Sequence, residues 1–246
     1  MKRVIALALV MIVAASAALA GVFPEKATYL IYIHAVYAGK SVIKTTEKKD
    51  AVIFESTSEI EYEGYTQKIT CRSEFGMMDH SIRSFAFKGT KNKEKFEANI
   101  HVRGDSVFGD FVTGDAEYSS GKHVGPNTFF LEGYVPEHHF ILARYLTESE
   151  EAYQRFSAFY PSAYMSAFAM ALLESEAEIA TVPKPTVCTK YRISLQNGGT
   201  YFILVEPKSR LPIYMAWSST LTEIFLVDAF GDNPTPIYLP DEKREE

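Results

Sequence analysis

The chain has few cysteines, a single tryptophan and no surplus of positive charge. Of its 246 residues two are cysteine and one is tryptophan, and the formal net charge is −6 at pH 7. An acidic chain lacks the basic surface that binds the phosphates of nucleic acids, and charge does not draw it to anionic lipids. We therefore expect no nucleic acid among its partners.

Motifs of known enzyme classes are also missing. The sequence has no G-x-S-x-G, H-E-x-x-H, P-loop or dinucleotide-binding pattern. Glu137-His138-His139 contains metal-ligating residue types, but adjacent helical residues point about 100° apart, so the cluster is more typical of a helix start with partly buried histidines. The carboxylates at Glu59/Glu61 and at 148–151 are typical of solvated faces. The sequence thus predicts no catalytic residue, no metal and no cofactor.

The longest apolar run lies at the N-terminus. Met1-Lys2-Arg3 is a basic start, Val4–Leu19 is apolar, and Ala18-Leu19-Ala20 places small residues before a cleavage point. This order is typical of a secretory signal peptide over residues 1–20, cut after Ala20. The alternative is a retained membrane anchor, which needs about 20 apolar residues and would not be followed at once by Gly21. We expect a periplasmic or secreted protein with no stable transmembrane anchor after cleavage.

The two cysteines can form at most one disulfide. Cys71 and Cys188 would be exported with the rest of the chain, and in an oxidising compartment such a pair commonly forms a bond. The alternative is that both are small buried apolar side chains. No cysteine follows the apolar run directly, so we do not expect a lipoprotein.

Alternating apolar and polar residues dominate from Thr28 to about Leu131 and return from Ala177 to about Phe230. Phe96–Val102 is the clearest half-buried strand, Gly39 indicates a bulge or bend, and 197–199 (Asn-Gly-Gly) predicts a hairpin turn. We expect one mainly β domain over residues 21–232, a single curved antiparallel sheet or open barrel-like meander with a central helical insertion. Residues 233–246 are expected to form a flexible tail.

The predicted helical insertion spans approximately residues 136–176. Pro136 is suited to a first helical turn, and apolar side chains recur at helical spacing through Tyr145, Phe156 and Phe168. The wide apolar face of this segment could cover an open end of the sheet. It could also form a lid over a cavity of lipid size.

The chain is rich in aromatic residues, with fifteen tyrosines and seventeen phenylalanines. They could form an ordinary core, or they could line a hydrophobic groove between the concave face of the sheet and the helices. The candidates for such a lining are Phe85, Phe87, Tyr145, Phe156, Tyr160 and Phe168.

The order of these features resembles a known family. The resemblance rests on the first strand and its glycine, Tyr32–Ser41, on the Arg-Leu-Pro-Ile sequence at Arg210–Ile213, and on Thr222-Glu223-Ile224 in a last strand. In these features the chain is similar to the DUF3108-type envelope proteins of Gram-negative bacteria, whose curved sheets are related in shape to periplasmic lipoprotein carriers. The resemblance implies a periplasmic, non-enzymatic protein and brings no catalytic residues.

These observations favour a binding or carrier protein of the envelope, with a lipid, another apolar ligand or an envelope protein as partner. Two alternatives remain open. An assembly scaffold would expose a large apolar patch, and a hydrolase with an unrecognised site would bring two or three titratable residues together in a cleft.

Overall fold

A computed structural model describes residues 22–237, except positions 78, 115, 126, 150 and 197 and the side chain at 118. The predicted signal peptide with its cleavage site at Ala20, and residues 238–246 of the tail predicted at 233–246, lie outside these described residues. The strands of the described part are β1 (Lys26–Ile33), β2 (Val36–Glu47), β3 (Ala51–Tyr62), β4 (Tyr65–Gly76), β5 (Ile82–Lys91), β6 (Glu94–Arg103), β7 (Ser106–Thr113), β8 (Ala116–His123), β9 (Thr128–Phe130), β10 (Tyr153–Tyr160), β11 (Met165–Ile179), β12 (Thr186–Leu195), β13 (Thr200–Val205), β14 (Pro212–Trp217) and β15 (Thr222–Leu226). The helices are α1 (Glu137–Glu148), α2 (Val227–Phe230) and a 3-10 turn at Pro161–Ala163.

All fifteen strands belong to one sheet, in the order β8-β7-β6-β5-β4-β3-β2-β1-β15-β14-β13-β12-β11-β10-β9. Neighbouring strands are antiparallel except β9 and β10, which are parallel. The predicted fold class is therefore confirmed: the protein is mainly β, with one large curved sheet that does not close and a central helix. The first and last strands pair in the middle of the sheet, where Tyr29 faces Leu226.

The two ends of the sheet overlap instead of pairing. Strand β9 lies against the inner face of β5, where the rings of Phe130 and Phe85 are 5.9 Å apart. Just after β10, the ring of Tyr164 lies 4.7 Å from Phe111, and its hydroxyl donates to the Val107 carbonyl at 3.3 Å. The tip of β9–β10 is therefore buried on both faces.

Helix α1 lies inside the concave face. It begins after Pro136, as predicted, and Phe140, Leu142 and Leu146 are fully buried. Its side chains are covered nearly all round, which is typical of a helix enclosed by other elements. No helix within the described residues is long and apolar enough to span a membrane.

The two ends of α1 mark the two ends of the sheet. Its first turn contacts the middle of β3 and β4, and the loop before it runs towards the end of the sheet that carries the turns at 34–35, 63–64 and 92–93, which we call the turn end. Its last turn lies at the opposite end, where Glu148 contacts Arg210 (Oε1 to Nη1, 3.1 Å) and His80 (Oε2 to Nδ1, 3.7 Å).

The predicted helical segment is confirmed over residues 137–148 and is wrong beyond them. Tyr153–Tyr160 and Met165–Ile179 are strands joined by the 3-10 turn. Phe156 and Phe159 are spaced as on a helical face, but each packs on a different side of β10: Phe156 against Phe129, and Phe159 against Phe130. A strand buried on both faces loses the alternation that distinguishes it from a helix.

Of the two alternatives for the cysteines, the structure has the second: Cys71 and Cys188 are both free and buried. The two thiols belong to different surroundings. Cys71, on β4, lies near Ser56 and the charge of Glu137 by the first turn of α1. Cys188, on β12, contacts the Thr186 carbonyl towards the opposite end of the sheet. Seven strand-to-strand steps separate β4 from β12 in the sheet, whereas a disulfide needs Cα atoms within about 7 Å.

Candidate ligand-binding cavity

A cavity of about 630 Å³ opens at the turn end of the sheet. It lies between the inner face of β4–β7 and the loop that precedes α1. Its sheet wall includes Tyr65, Ile69, Phe87, Phe96 and Phe111, and its loop wall includes Glu132, Gly133, Tyr134, Ser162 and Ala163. A volume of this size falls within the range of about 300–1,000 Å³ found for small-molecule sites.

Strand alternation explains why the sheet wall is aromatic. On β6 the side chain of Phe96 shares the inward face with buried Ala98 and Ile100, and its ring lies 5.4 Å from that of Phe87 on β5. Phe111 on β7 points the same way and is buried. Three neighbouring strands thus present one ring each to the cavity, and such rings favour apolar ligands.

The loop wall carries a buried carboxyl group. Glu132 is only 8% exposed, and its Oε2 accepts the Ser162 N–H at 2.7 Å. Its Oε1 accepts the Ser162 hydroxyl at 2.8 Å and the Gly133 N–H at 3.2 Å. Burial raises the pKa of Glu132, and these three donors oppose the rise by stabilising the charged form. Each of these donors is neutral.

Tyrosines surround this carboxyl. Burial raises the pKa of Tyr65 and of Tyr160 to about 12, and the charge of Glu132 adds to both shifts. The Tyr65 hydroxyl donates to the side-chain oxygen of Gln67. At the rim, Lys91 Nζ lies 5.8 Å from the centre of the Tyr65 ring, within reach of a cation–π contact.

A second polar group lies beneath the first turn of α1. Ser73 Oγ is 3.0 Å from His138 Nε2, and His138 Nδ1 accepts the Glu132 N–H at 3.3 Å. A neutral imidazole has one donor and one acceptor nitrogen, so Nε2 carries the proton and donates to Ser73. A serine nucleophile needs the opposite arrangement, with an unprotonated nitrogen facing its hydroxyl. Ser73 is also fully buried. This pair therefore does not support the hydrolase alternative.

The remaining members of the Glu137-His138-His139 cluster also face the protein interior. Glu137 accepts a hydrogen bond from Ser56. Neither nitrogen of His139 makes a hydrogen bond of normal geometry, although the backbone of Val135 is close enough to favour the charged ring, and the ring meets Tyr201 and Trp217 edge-on at 5.7 and 5.6 Å. Within the described part of the chain, no three His, Cys, Asp or Glu side chains converge on a common point where a metal ion could bind.

The predicted lining residues are not brought together in one place. Phe87 lies on the sheet wall of the cavity, and Tyr160 is half-buried close to Glu132. Tyr145 lines a smaller cavity of about 250 Å³ at the opposite end. Phe85 and Phe156 are core residues, 1% and 3% exposed. Phe168 points away from the interior on β11 and is 48% exposed, so its assignment to the lining is wrong.

Sequence reasoning missed most of the cavity. Phe96 lies on a strand that the alternation of apolar and polar residues predicted. The same alternation on the neighbouring strands would have identified Phe111 and Tyr65 as further inward-facing residues. Glu132 and Tyr134 carried no such signal, because they lie in a short connection between β9 and α1. Only the overlap of the sheet ends places that connection opposite the sheet wall.

Comparisons with known proteins add little to this geometry. No protein-family model matches the chain, and no curated protein is detectably similar to it. One solved structure with a related shape is that of a DUF1089 family protein from Pseudomonas aeruginosa. It is 14% identical with a TM-score of 0.45, over 70% of this chain and 87% of that one.

Proposed function

We propose that the protein is a non-enzymatic binding or carrier protein for a small hydrophobic or amphipathic molecule. The observation that carries this proposal is the cavity of about 630 Å³ with three phenylalanine rings on one wall and a buried carboxyl on the other. An apolar ligand would gain affinity by moving its own apolar surface out of water and onto this wall. The polar loop wall would fix its orientation.

In the part of the chain that the structure describes, the middle of the concave face is packed. Helix α1 fills its centre, with Phe140 packed on Tyr29, Phe54 and Phe23 at ring distances of 5.9, 5.5 and 6.4 Å. Most of the aromatic surplus therefore serves as core, and ligand binding is confined to the ends of the sheet. The turn end has the larger cavity.

A neutral fluorescent probe, N-phenyl-1-naphthylamine, tests the proposal directly. Thr113 faces inward at the rim of the cavity, so Thr113→Trp should fill the entrance and weaken probe binding at least about tenfold. Thr66→Trp is the matched control, because Thr66 lies on the outer face of β4 at the same end of the sheet. Absence of probe binding to the unmodified chain, or equal binding by the chain with Thr113→Trp, would refute the proposed site.

The envelope location belongs to the same proposal and is supported by the sequence of Met1–Ala20 and by the resemblance to DUF3108-type proteins. Expression of the full chain in a Gram-negative host should yield a periplasmic form whose first residue is Gly21. Recovery of the unprocessed chain from the cytoplasm would contradict this part of the proposal without touching the cavity.

A further inference from the structure

The loop wall holds an acidic group that forms no salt bridge. Within the described residues, no Lys, Arg or His nitrogen lies within 4.0 Å of the Glu132 carboxyl oxygens. Hydrogen bonds from Ser162 and Gly133 offset part of the cost of burying that charge. A positive ligand group in the cavity would offset much of the remainder.

Aromatic rings stand beside this carboxyl on the cavity side. Tyr65 and Tyr134 line the cavity together with Glu132, Tyr134 lies two residues after Glu132 in the same loop, and the charge of Glu132 contributes to the raised pKa of Tyr65. The face of a tyrosine ring attracts cations, and rings combined with a carboxylate are a typical setting for ammonium groups. One cation already uses this feature, since Lys91 Nζ lies over the Tyr65 ring from the rim.

We propose that the ligand of this cavity is an organic cation, a hydrophobic amine or quaternary ammonium compound. Its charged group lies beside Glu132 and the rings of Tyr65 and Tyr134, and its apolar part lies against Phe87 and Phe96. This proposal rests on the binding function proposed above and names its ligand class.

The charged residues at the rim of the cavity do not favour an anionic ligand over a cationic one. Lys91 and Lys95 are matched in number there by Glu94 and Glu97, so the rim is close to neutral. The buried carboxyl therefore decides the sign of the local potential, and the net charge of −6 acts in the same direction at longer range. An anionic headgroup beside Glu132 would meet like charge.

Three ligands with the same ten-carbon tail separate charge from apolar contact: decyltrimethylammonium, decanol and decanoate. Each is titrated at pH 8, below its micelle concentration, and displacement of N-phenyl-1-naphthylamine is measured. We expect the cation to bind at least about tenfold more tightly than the alcohol, and the carboxylate to bind most weakly.

Variants identify the group responsible. Glu132→Gln should remove the preference for the cation while leaving decanol affinity within about twofold. Glu61→Gln, an exposed outer-face change on β3, is the control and should preserve the preference. Lys91→Gln should strengthen binding of the cation relative to decanol, because a competing ammonium group has been removed from the Tyr65 ring.

The outcomes are distinct. If Glu132→Gln does not fold, Tyr65→Leu provides the second variant, and it should lower the cation preference at least threefold by removing one ring face. Probe binding without a preference for the cation, or a preference that survives both variants, would overturn the ligand class and leave the binding function intact. No displaceable probe at all would overturn both.

Discussion

The hydroxyl of Ser56 donates a hydrogen bond to the carboxyl of Glu137, which lies 81 positions later in the chain. This contact joins the inner face of β3 to the first turn of α1. Ser58 reinforces it by donating to the Tyr134 carbonyl at 2.6 Å, and Ser73 on β4 accepts a hydrogen bond from His138 Nε2 at 3.0 Å. Serine hydroxyls on two strands thus fix the start of the helix and, with it, the loop wall of the cavity.

The stability of the protein should depend on pH through Glu137. Burial raises the pKa of this carboxyl from its ordinary value near 4.5 to about 7. Between those values the folded state keeps a proton that the unfolded state releases, so the contribution of Glu137 to stability falls as the pH rises through this window. The fall is on the order of 3 kcal/mol. Glu137→Gln keeps an acceptor for Ser56 and should therefore stabilise the fold at pH 8 more than at pH 5.

Urea unfolding of both proteins at the two pH values measures this effect. Glu61→Gln, on the outer face of β3, controls for the loss of one negative charge. An equal difference between the Glu137→Gln variant and the unmodified protein at pH 5 and pH 8 would show that Glu137 titrates as an ordinary carboxyl.

His139 should have the opposite pH dependence. Burial lowers its pKa to about 3, so the unfolded state takes up a proton below about pH 6.5 that the folded state refuses, and stability is lost as the pH falls. His139→Leu removes this loss together with two unpartnered ring nitrogens. It should stabilise the protein by about 2 kcal/mol more at pH 5 than at pH 7.

Thermal or urea unfolding at both pH values again provides the measurement. His101→Leu on the outer face of β6 controls for the loss of an imidazole at the surface. A His139→Leu variant that is less stable than the unmodified protein at pH 5 would mean that the polar contact of the ring with the Val135 backbone outweighs the cost of burying the imidazole.

Gly39 should tolerate no side chain. The bend predicted there coincides with a shift of register between Ile31 and Tyr32 on the adjacent strand. A Cβ atom at Gly39 would lie 1.9 Å from the Glu59 carbonyl oxygen, and its φ of +156° disfavours other residues. We expect Gly39→Ala to cost at least about 2 kcal/mol of unfolding free energy. Gly133→Ala, where a Cβ would meet no atom within 4 Å, should change it by less than about 0.5 kcal/mol.

Both cysteines should be unreactive thiols in the folded protein. Burial raises the pKa of Cys188 to about 11 and that of Cys71 well above its ordinary value, so little thiolate forms at neutral pH. A chromogenic disulfide reagent should react slowly with the native protein and with two thiols once urea is added, without any reductant. Detection of no thiol after unfolding would indicate a disulfide.

The sequence correctly predicted those strands that have one buried face and one solvent-exposed face. Alternation on β6 marks such a surface, and the start of α1 at Pro136 was also visible in the residues. The prediction was wrong at Phe156 and Phe159 because β9 and β10 lie between α1 and the opposite sheet wall. No local pattern reveals that overlap, since it depends on the curvature accumulated over all fifteen strands.

The cavity was predictable to the same extent. Phe87 faces it because its strand alternates, and strand alternation can be read from the sequence. Glu132 faces the cavity because the overlap of the sheet ends places its loop opposite β4–β7. The residues around Glu132 in the sequence do not indicate that those strands lie opposite. Strand alternation therefore explains why Phe87 faces the cavity, and no sequence pattern indicates that Glu132 does.

The pairing of β1 with β15 has a further consequence for the way the chain is connected. If residues 22 and 237 were joined by a linker and the chain were opened between His123 and Thr128, the strands would follow one another from β9 through β15 and then β1 through β8, which is their spatial order. Apart from the parallel step from β9 to β10, which passes through α1, the permuted protein would be a continuous meander with its new termini at the two sheet edges. In the natural chain order, β1 and β15 are neighbours in the middle of the sheet. These two neighbouring strands are therefore the first and the last strand of the described chain.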